Sequence, residues 1–152
     1  KIGAVALTHS HVDHVNGLVT PVGAIAFTKP ASILIHSNEV ELLRAEKRLA
    51  PALQSLSAFQ DGDEIWPGVK VVAAYGHEVG HCAFRVESDG ERLLVWGDVV
   101  HVPDVQFRDP HVTWQYDTDR DAARQSRLRL MNEVADSSIA VAGAHHEFPG
   151  IG

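Results

Sequence analysis

THSHVDHVNG, residues 8–17, places three histidines and one aspartate within six consecutive positions. Imidazole and carboxylate groups are costly to bury unless they are hydrogen-bonded, paired with a charge or bound to a metal ion. The apolar run of residues 2–7 comes directly before them and is typical of a buried strand in an α/β sheet. A histidine-rich surface tract would not follow such a strand, so the stretch predicts a loop that holds metal ions at a strand end.

Further apolar runs predict the other strands. They comprise residues 32–36, 69–75, 82–88, 92–98 and 138–144. Asp89-Gly90 lies between two of these runs and is typical of a tight β-hairpin turn. Residues 61–64 predict a turn, whereas residues 53–60 fit neither a strand nor a helix clearly.

Two segments show the spacing of helices. In residues 37–49, Asn38 can cap a helix with Glu41 as its capping-box partner. Residues 117–136 predict a longer helix. Its apolar side consists of Ala123, Leu130 and Val134.

Histidine and aspartate side chains follow the ends of the predicted strands. They are His9, His11, Asp13 and His14 after the first strand, His77 after the strand ending at Tyr75, Asp98 after the hairpin, and His145 after the last strand. In α/β sheets, ligands and chemistry collect beyond the carboxyl ends of strands. Neutral imidazole and carboxylate are the usual ligands of divalent ions such as zinc, so these groups predict a metal centre.

The spacing suggests how the groups divide between two ions. His9 and His11 alternate along an extended loop and point to the same side, whereas Asp13 and His14 lie further along. Asp98 has two carboxylate oxygens and can bridge both ions. The hypothesis gives two sets of ligands: His9, His11, His77 and Asp98 for the first ion, and Asp13, His14, Asp98 and His145 for the second. A water or hydroxide would take the remaining shared position.

No single one of these seven residues indicates a metal site by itself. Taken alone, His77 is as readily a structural loop histidine, and Asp98 would more readily satisfy backbone amides at a strand end. Only their combination with the early cluster indicates a metal site. Cys82, the one cysteine of the chain, lies at a strand start and is expected in the core.

Length and charge limit the number of domains and the classes of partner that the chain can have. The 152 residues fit one domain, and the net charge of −7 lacks the basic footprint of a nucleic-acid binder. The arginines of the long helix, which alternate with acids, are expected on a solvated face: Arg120, Arg124, Arg127 and Arg129. No apolar run is long enough to span a membrane. The chain begins at Lys1 rather than methionine, so we expect a fragment or processed product, of unknown compartment.

Four motifs, in matching order, resemble those of the metallo-β-lactamase-fold hydrolases. Residues 9–14 match the HxHxDH signature, which is highly specific. Three weaker matches are GHEVGH at residues 76–81 for the GHTPGH turn, WGD at 96–98 for the bridging aspartate, and HHEFPG at 145–150 for HxxFPG. The resemblance implies the same two ligand sets, with His145 rather than His146 as the ligand. It also implies an αββα sandwich. The N-terminal half-sheet of that fold is largely missing here, so residues 1–152 are expected to form a partial domain.

Two departures from the family pattern concern the site. Glu78 and Val79 replace the threonine and proline of GHTPGH, which puts the local geometry of that turn in question. His101 stands where the lactonases of the family usually carry a tyrosine that contacts substrate; it either polarises a substrate group or merely lines the site. His81, the second histidine of the turn, is expected to be structural.

A narrower similarity points to one branch of the family. Residues 105–119 and 27–41 resemble the corresponding stretches of methyl parathion hydrolase and its relatives, a branch that adjoins the quorum-quenching acyl-homoserine-lactone lactonases. The expected activity is hydrolysis of an ester-like substrate, either a lactone or an organophosphate ester. The expected nucleophile is a hydroxide that bridges two divalent ions, most readily zinc. Asp13 and His101 are the expected catalytic residues. Four aromatic residues are candidates for an apolar pocket or for the core: Trp66, Phe107, Trp114 and Phe148.

Other functions stay open at this point. The same scaffold is compatible with a β-lactamase, a glyoxalase-II-like thioesterase or a nuclease, although the acidic charge counts against the nuclease. A di-iron redox site or a metal-binding module without turnover is a non-hydrolytic alternative. As partners we expect a small-molecule substrate, no nucleic acid and no membrane, with a homodimer left open.

Overall fold

The computed structural model describes residues 2–27, 31–137 and 139–152. Its strands are β1 (Ala4–Ala6), β2 (Ser32–His36), β3 (Leu56–Phe59), β4 (Glu64–Trp66), β5 (Val69–Ala73), β6 (Cys82–Ser88), β7 (Glu91–Val95) and β8 (Ala140–Ala142). Its α-helices are α1 (Val12–Val15), α2 (Val40–Ala45), α3 (Pro103–Gln106) and α4 (Arg120–Ser137). Among the described residues, no helix combines the length and the apolar character that crossing a membrane requires.

The strands form two sheets of different kinds. In the smaller sheet, β1, β2 and β3 are parallel neighbours in that order. In the larger sheet the order is β4-β5-β6-β7-β8, antiparallel except that β8 runs parallel to β7. The parallel arrangement brings the ends of β1 and β2 to one edge of the molecule, where their connecting loops meet.

Alternating side chains along each strand separate the layers. Leu34 of β2 packs against the cluster formed by Phe59, Val71 and Phe84 between the two sheets, whereas Ile33 and Ile35 face a second cluster that includes Leu43 of α2. The period of two along a strand sends successive side chains to opposite faces. The smaller sheet therefore has the larger sheet on one face and helical segments on the other.

The larger sheet is layered in the same way. Val95 of β7 faces the cluster between the sheets, whereas Leu94 packs with Leu130 and the partly buried Val134 of α4. The order of layers is helix, sheet, sheet, helix, which confirms the expected αββα sandwich. As predicted, Cys82 is buried and α4 presents Leu130 and Val134 to the core.

All six predicted strands are present; β2 and β6 have the predicted bounds, and the other four differ from the prediction at their ends. The hairpin between β6 and β7 pairs Ser88 with Glu91, and Asp89 and Gly90 both have positive φ as such a turn requires. Residues 53–60, left open by the sequence, form a 3₁₀ turn followed by β3. The start of the predicted last strand, Ser138, and Thr28–Pro30 of the stretch 27–41 lie outside the described residues.

The two predicted helices begin later than expected. Asn38 does not cap α2; its side-chain amide donates to the Val79 carbonyl, and residues 37–39 form a 3₁₀ turn. The long helix begins at Arg120 rather than 117, because the Asp119 carboxylate accepts from the backbone amides of Asp121 and Ala122 and so caps the helix. Asp117 is thereby freed for another contact.

The expectation that all four arginines of the long helix are solvated was wrong for Arg127. Arg124 forms an exposed ion pair with Asp121, as on a solvated face. Arg127, however, is only 1% exposed, and its guanidinium donates to the carbonyls of Val99, Pro110 and Val112. An arginine with several carbonyl acceptors can be buried because its donors are satisfied. Arg127 therefore holds the connection between β7 and α4 against the helix.

Candidate metal centre

The seven side chains chosen from the sequence converge at one edge of the sandwich. In each of two sets, one ligand atom from every residue lies within 4.8 Å of the others. The first set comprises His9, His11, His77 and Asp98, and the second set comprises Asp13, His14, Asp98 and His145. These are the two sets that the spacing predicted, and Asp98 belongs to both.

The loops after the strands position these groups. His9 and His11 follow β1, and α1 then begins at Val12, so Asp13 and His14 lie on a helical turn rather than in a fully extended loop. The change of backbone direction at His11 turns Asp13 and His14 toward the other side of Asp98. The remaining members, which lie in the loops after β5, β7 and β8, are His77, Asp98 and His145.

Asp98 lies at the centre of the cluster. Its Oδ1 is 3.0 Å from His14 Nε2, and its Oδ2 is 3.2 Å from His77 Nε2 and 3.1 Å from His145 Nε2. Asp98 is 2% exposed, and burial alone would raise the pKa of its carboxyl. Its contacts with His14 and His77 outweigh that effect and hold the pKa well below the usual range. Asp98 is therefore a buried carboxylate that faces imidazole nitrogens from both sets.

Unsatisfied buried atoms show that this donor set fits metal ions. His9 Nε2 and Asp98 Oδ1 are buried without a well-directed hydrogen-bond partner. His11 Nδ1 and His77 Nε2 face each other at 2.9 Å. Burial lowers the pKa of His9, so its imidazole is neutral and offers a lone pair. Buried polar atoms normally have partners, and divalent cations would satisfy all of these acceptors together.

The outer nitrogen of His77 has a carboxylate partner that sequence reasoning missed. His77 Nδ1 is 3.0 Å from Asp117 Oδ1, and the other oxygen of Asp117 accepts from the Trp114 amide at 2.7 Å. Burial alone would lower the pKa of His77, but its hydrogen bonds with Asp117 and Asp98 raise it to about 9. The sequence predicts Asp117 at the start of the long helix and carries no local signal that its side chain contacts His77.

A second missed acid, Glu39, ties two ligand-bearing loops together. Its fully buried carboxylate accepts from the Ser10 amide at 3.0 Å, the Ser10 hydroxyl at 2.5 Å and the Gly80 amide at 2.7 Å. Ser10 lies between His9 and His11, and Gly80 lies in the turn that carries His77. Glu39 thus fixes the distance between the early cluster and that turn.

His81 is structural, as expected. Its Nδ1 donates to the Ala74 carbonyl at 2.8 Å, and its Nε2 accepts from the Asp98 amide at 3.1 Å. Burial lowers its pKa to about 4, so the ring is neutral at pH 7. His81 therefore orients the backbone of Asp98 while both of its own nitrogens are satisfied.

A cavity of about 320 Å³ opens onto the cluster. It is lined by His11, Val12, Asp13, His77, Asp98, His101, Tyr116 and His145. The ring of His101 stacks on Trp114 at a centroid distance of 5.0 Å, and its Nδ1 lies 3.3 Å from Asp98 Oδ2. Burial and the neighbouring His145 lower the pKa of His101. His101 is therefore a mainly neutral imidazole at the wall of the cavity.

The aromatic residues chosen for a pocket do not form one group. Trp114 supports His101, but Trp66 lies on β4, and Phe107 lines a separate cavity with Trp96 and His146. Phe148 is 100% exposed, so it contributes neither to the core nor to the site. Tyr116, which the sequence did not single out, supplies the aromatic surface of the cavity. Aromatic content alone could not distinguish these environments.

Comparison with known proteins agrees with this architecture. The family model described as "Metallo-beta-lactamase superfamily" matches residues 1–137. No curated protein sequence matches the chain significantly.

Solved structures extend the comparison over almost the whole chain. A hydrolase of the β-lactamase superfamily, AbOPH, is 28% identical with a TM-score of 0.87, and the match covers 98% of this chain and 58% of that one. The dizinc quorum-quenching lactonase AidC is 24% identical with a TM-score of 0.87, covering 99% and 60% of the two chains. An N-acyl homoserine lactone hydrolase with its product at the catalytic metal centre is 21% identical with a TM-score of 0.71, covering 98% and 61%. The chain thus spans about three fifths of these structures.

Proposed function

The chain belongs to the metallo-β-lactamase superfamily, and on that premise we propose that it is a hydrolase with two divalent metal ions. The observation that carries the proposal is the pair of ligand sets that share the buried Asp98. A carboxylate common to two sets of nitrogen and oxygen donors is the arrangement expected of a dinuclear site.

The chemistry of the donors favours zinc. The first set provides three imidazoles and one carboxylate, and the second provides two imidazoles and two carboxylates. Such mixed sets suit zinc and also accept iron or manganese. AidC, which shares the fold, is a dizinc lactonase, and this supports zinc as the proposed ion.

When bound, the two ions would lower the pKa of a water molecule and polarise the oxygen of the substrate bond that is broken. The protein would hold the ions through the two ligand sets that share Asp98, and the fully buried His9 keeps solvent away from the inner side of the cluster. Asp13 faces the open side: its side chain is 59% exposed, and its Oδ2 lies 3.4 Å from His14 Nε2 and 3.6 Å from His145 Nε2. From that position Asp13 Oδ2 can orient the attacking water and accept its proton.

We assign His101 to the leaving-group side of the cavity. Its Nδ1 is buried 3.3 Å from Asp98 Oδ2 without a well-directed hydrogen bond, and its ring is held between Trp114 and His145, with centroid distances of 5.0 and 3.8 Å. A neutral imidazole in this position can donate a hydrogen bond to the carbonyl or leaving-group oxygen. The stacking fixes the ring plane, so the donor is oriented before the substrate binds.

The surface of the cavity favours an uncharged ester. Val12 and Tyr116 provide apolar contact beside the cluster, and no described residue of the lining is Lys or Arg. A neutral lactone or organophosphate-type ester suits this lining, because such a substrate carries no negative charge that a Lys or Arg would have to bind. The lactonase activity of AidC supports a lactone as substrate, and AbOPH, a hydrolase of the same superfamily, supports hydrolysis. The net charge of −7 and this small cavity support a small-molecule substrate rather than nucleic acid.

The test combines metal content with a substrate panel. Purified, metal-loaded protein is expected to contain two equivalents of zinc and to hydrolyse a lactone or a paraoxon-type ester faster than nitrocefin or S-lactoylglutathione. His11→Ala removes a ligand and should abolish hydrolysis and lower the metal content, whereas His111→Ala, at an exposed site, should change neither.

Two outcomes would contradict the proposal. Full activity of His11→Ala with one metal per chain argues against the dinuclear mechanism. Absence of turnover on every ester, together with the visible absorption of an oxo-bridged ferric pair, indicates a di-iron redox site instead.

A further inference from the structure

Glu78 occupies a position that the related GHTPGH turn gives to threonine. It is only 8% exposed although it carries an acidic side chain. Its Oε1 lies 3.1 Å from His11 Nε2, and its Oε2 accepts a hydrogen bond from the Val79 amide at 3.3 Å. A buried carboxylate is stable when its oxygens have donors, and His11 provides the only side-chain donor to Glu78 among the described residues. The replacement of threonine thus creates a specific contact with a proposed metal ligand.

The ring of His11 presents its two nitrogens to different neighbours. Nε2 faces Glu78, whereas Nδ1 faces the first set, 2.9 Å from His77 Nε2. A neutral imidazole carries one proton, and a carboxylate on one side keeps it on the nearer nitrogen. Glu78 therefore favours the proton on Nε2, which leaves the Nδ1 lone pair directed at the first set.

The first set then contains two histidines that each have a carboxylate partner. Asp117 contacts Nδ1 of His77 and leaves Nε2 facing the cluster, while Glu78 contacts Nε2 of His11 and leaves Nδ1 facing it. A carboxylate behind a ligand histidine fixes the ring orientation and raises the basicity of the ligating nitrogen. The second set differs, because Asp13 and Asp98 are the acids closest to His14 and both belong to that set.

We propose that Glu78 is a positioning residue that fixes the Nε2-protonated tautomer of His11 and tightens metal binding at the first set. The inference rests on the proposed metal centre and adds to it a residue outside the seven ligands. It makes the two metal sites unequal: loss of Glu78 weakens the first set and leaves the second unchanged.

Competition with a chelator tests whether Glu78 tightens metal binding at the first set. Glu78→Thr, which restores the residue of the related turn, is expected to weaken one of the two bound equivalents of zinc by about 10- to 100-fold in titrations against a chelator. Glu78→Gln keeps an oxygen acceptor without the charge, so a smaller loss is expected. Glu87→Thr, at an exposed position of β6, is the matched control and should bind both equivalents like the original protein. Unchanged affinity for both equivalents in Glu78→Thr overturns the proposal.

The tautomer of His11 provides a second measurement, and a general disruption of the turn would not be expected to change it in the same way. In protein with ¹⁵N-labelled histidine, freed of metal at pH 8.5, we expect the His11 proton on Nε2, and we expect Glu78→Gln to retain it. Glu78→Thr should shift His11 toward a mixture of tautomers, and His11 protonated on Nδ1 in the original protein contradicts the proposal. This measurement also separates two failures: if the original protein binds no metal, the proposed function fails, while the tautomer still decides the role of Glu78.

Discussion

Nδ1 of His77 lies 3.0 Å from Oδ1 of Asp117, and Nε2 of the same ring faces Asp98 at 3.2 Å. Asp117 is held in turn by the Trp114 amide, and Arg127 lies 3.8 Å from its other oxygen. The burial of Asp117 would raise the pKa of its carboxyl, but the contacts with His77, Trp114 and Arg127 lower it. A chain of polar contacts thus runs from α4 to the centre of the candidate metal site.

Replacement of Asp117 should weaken the first set. Asp117→Ala removes the partner of His77 Nδ1, so the ring loses its orientation, and we expect zinc affinity of one equivalent to fall by about 10- to 100-fold. The exposed Asp121, paired with Arg124, provides the control variant Asp121→Ala. Chelator competition measures both, and equal affinities in the two variants would show that His77 needs no acidic partner.

Two arginines of the same helix should differ greatly in their contribution to stability. Arg127→Met leaves the carbonyls of Val99, Pro110 and Val112 without their donor and the buried Asp117 without its arginine partner. We expect the free energy of unfolding to fall by about 3 kcal/mol. Arg124→Met removes only an exposed pair with Asp121 and should cost less than about 0.5 kcal/mol. Urea denaturation measures both values, and similar losses would contradict the burial of Arg127.

The fold and the candidate site could be predicted only in part from the sequence. The apolar runs predicted the strands, and the family resemblance predicted the αββα layers. The position of the histidines after strands predicted that the two sets of candidate ligands converge, because strand ends in α/β sheets meet at one edge. Asp117 and Glu39 were not found, because each acts across a large separation in sequence: 40 residues for Asp117 and His77, 29 for Glu39 and Ser10. Their local sequence signals a helix start, which is where such acids ordinarily cap. Tertiary contacts, not local pattern, give them their role.

Gly76 should be intolerant of any side chain. Its φ is +119°, and a Cβ there would lie 1.9 Å from the Ala123 backbone nitrogen, so the turn bearing His77 packs directly on α4. Gly76→Ala should lower the free energy of unfolding by at least about 3 kcal/mol, through backbone strain and the clash together. Gly90→Ala is the control: φ is +84°, but nothing lies within 4 Å of the added Cβ. It should cost about 1 kcal/mol. Thermal unfolding of the two variants separates steric contact from backbone strain.

The buried His81 should make stability depend on pH. Its pKa is about 4 in the folded protein, because of burial, against about 6.5 in an unfolded chain. Below pH 6.5 the unfolded state therefore binds a proton that the folded state does not, and the free energy of unfolding decreases as the pH falls toward 4. Between pH 7.5 and 4.5 this contribution amounts to about 2 kcal/mol.

His81→Asn retains a donor for the Ala74 carbonyl but cannot take up this proton. The variant should be less stable at pH 7.5, and its stability should change less between pH 7.5 and 4.5 than that of the original protein. Urea denaturation of metal-free protein at several pH values measures the difference, with His111→Asn as control. An identical pH dependence in His81→Asn would show that His81 does not carry the effect.

His101 offers a test of the chemistry apart from metal binding. His101→Phe keeps a ring that can stack on Trp114 but removes the nitrogen that lies 3.3 Å from Asp98 Oδ2. If His101 donates to the substrate, kcat should fall by about 10²- to 10⁴-fold while both metal equivalents remain bound. His111→Phe, at an exposed position outside the cavity, should retain full activity. A His101→Phe variant with unchanged kcat and a raised KM would mean that the ring only lines the cavity, because such a change removes binding without removing stabilisation of the transition state.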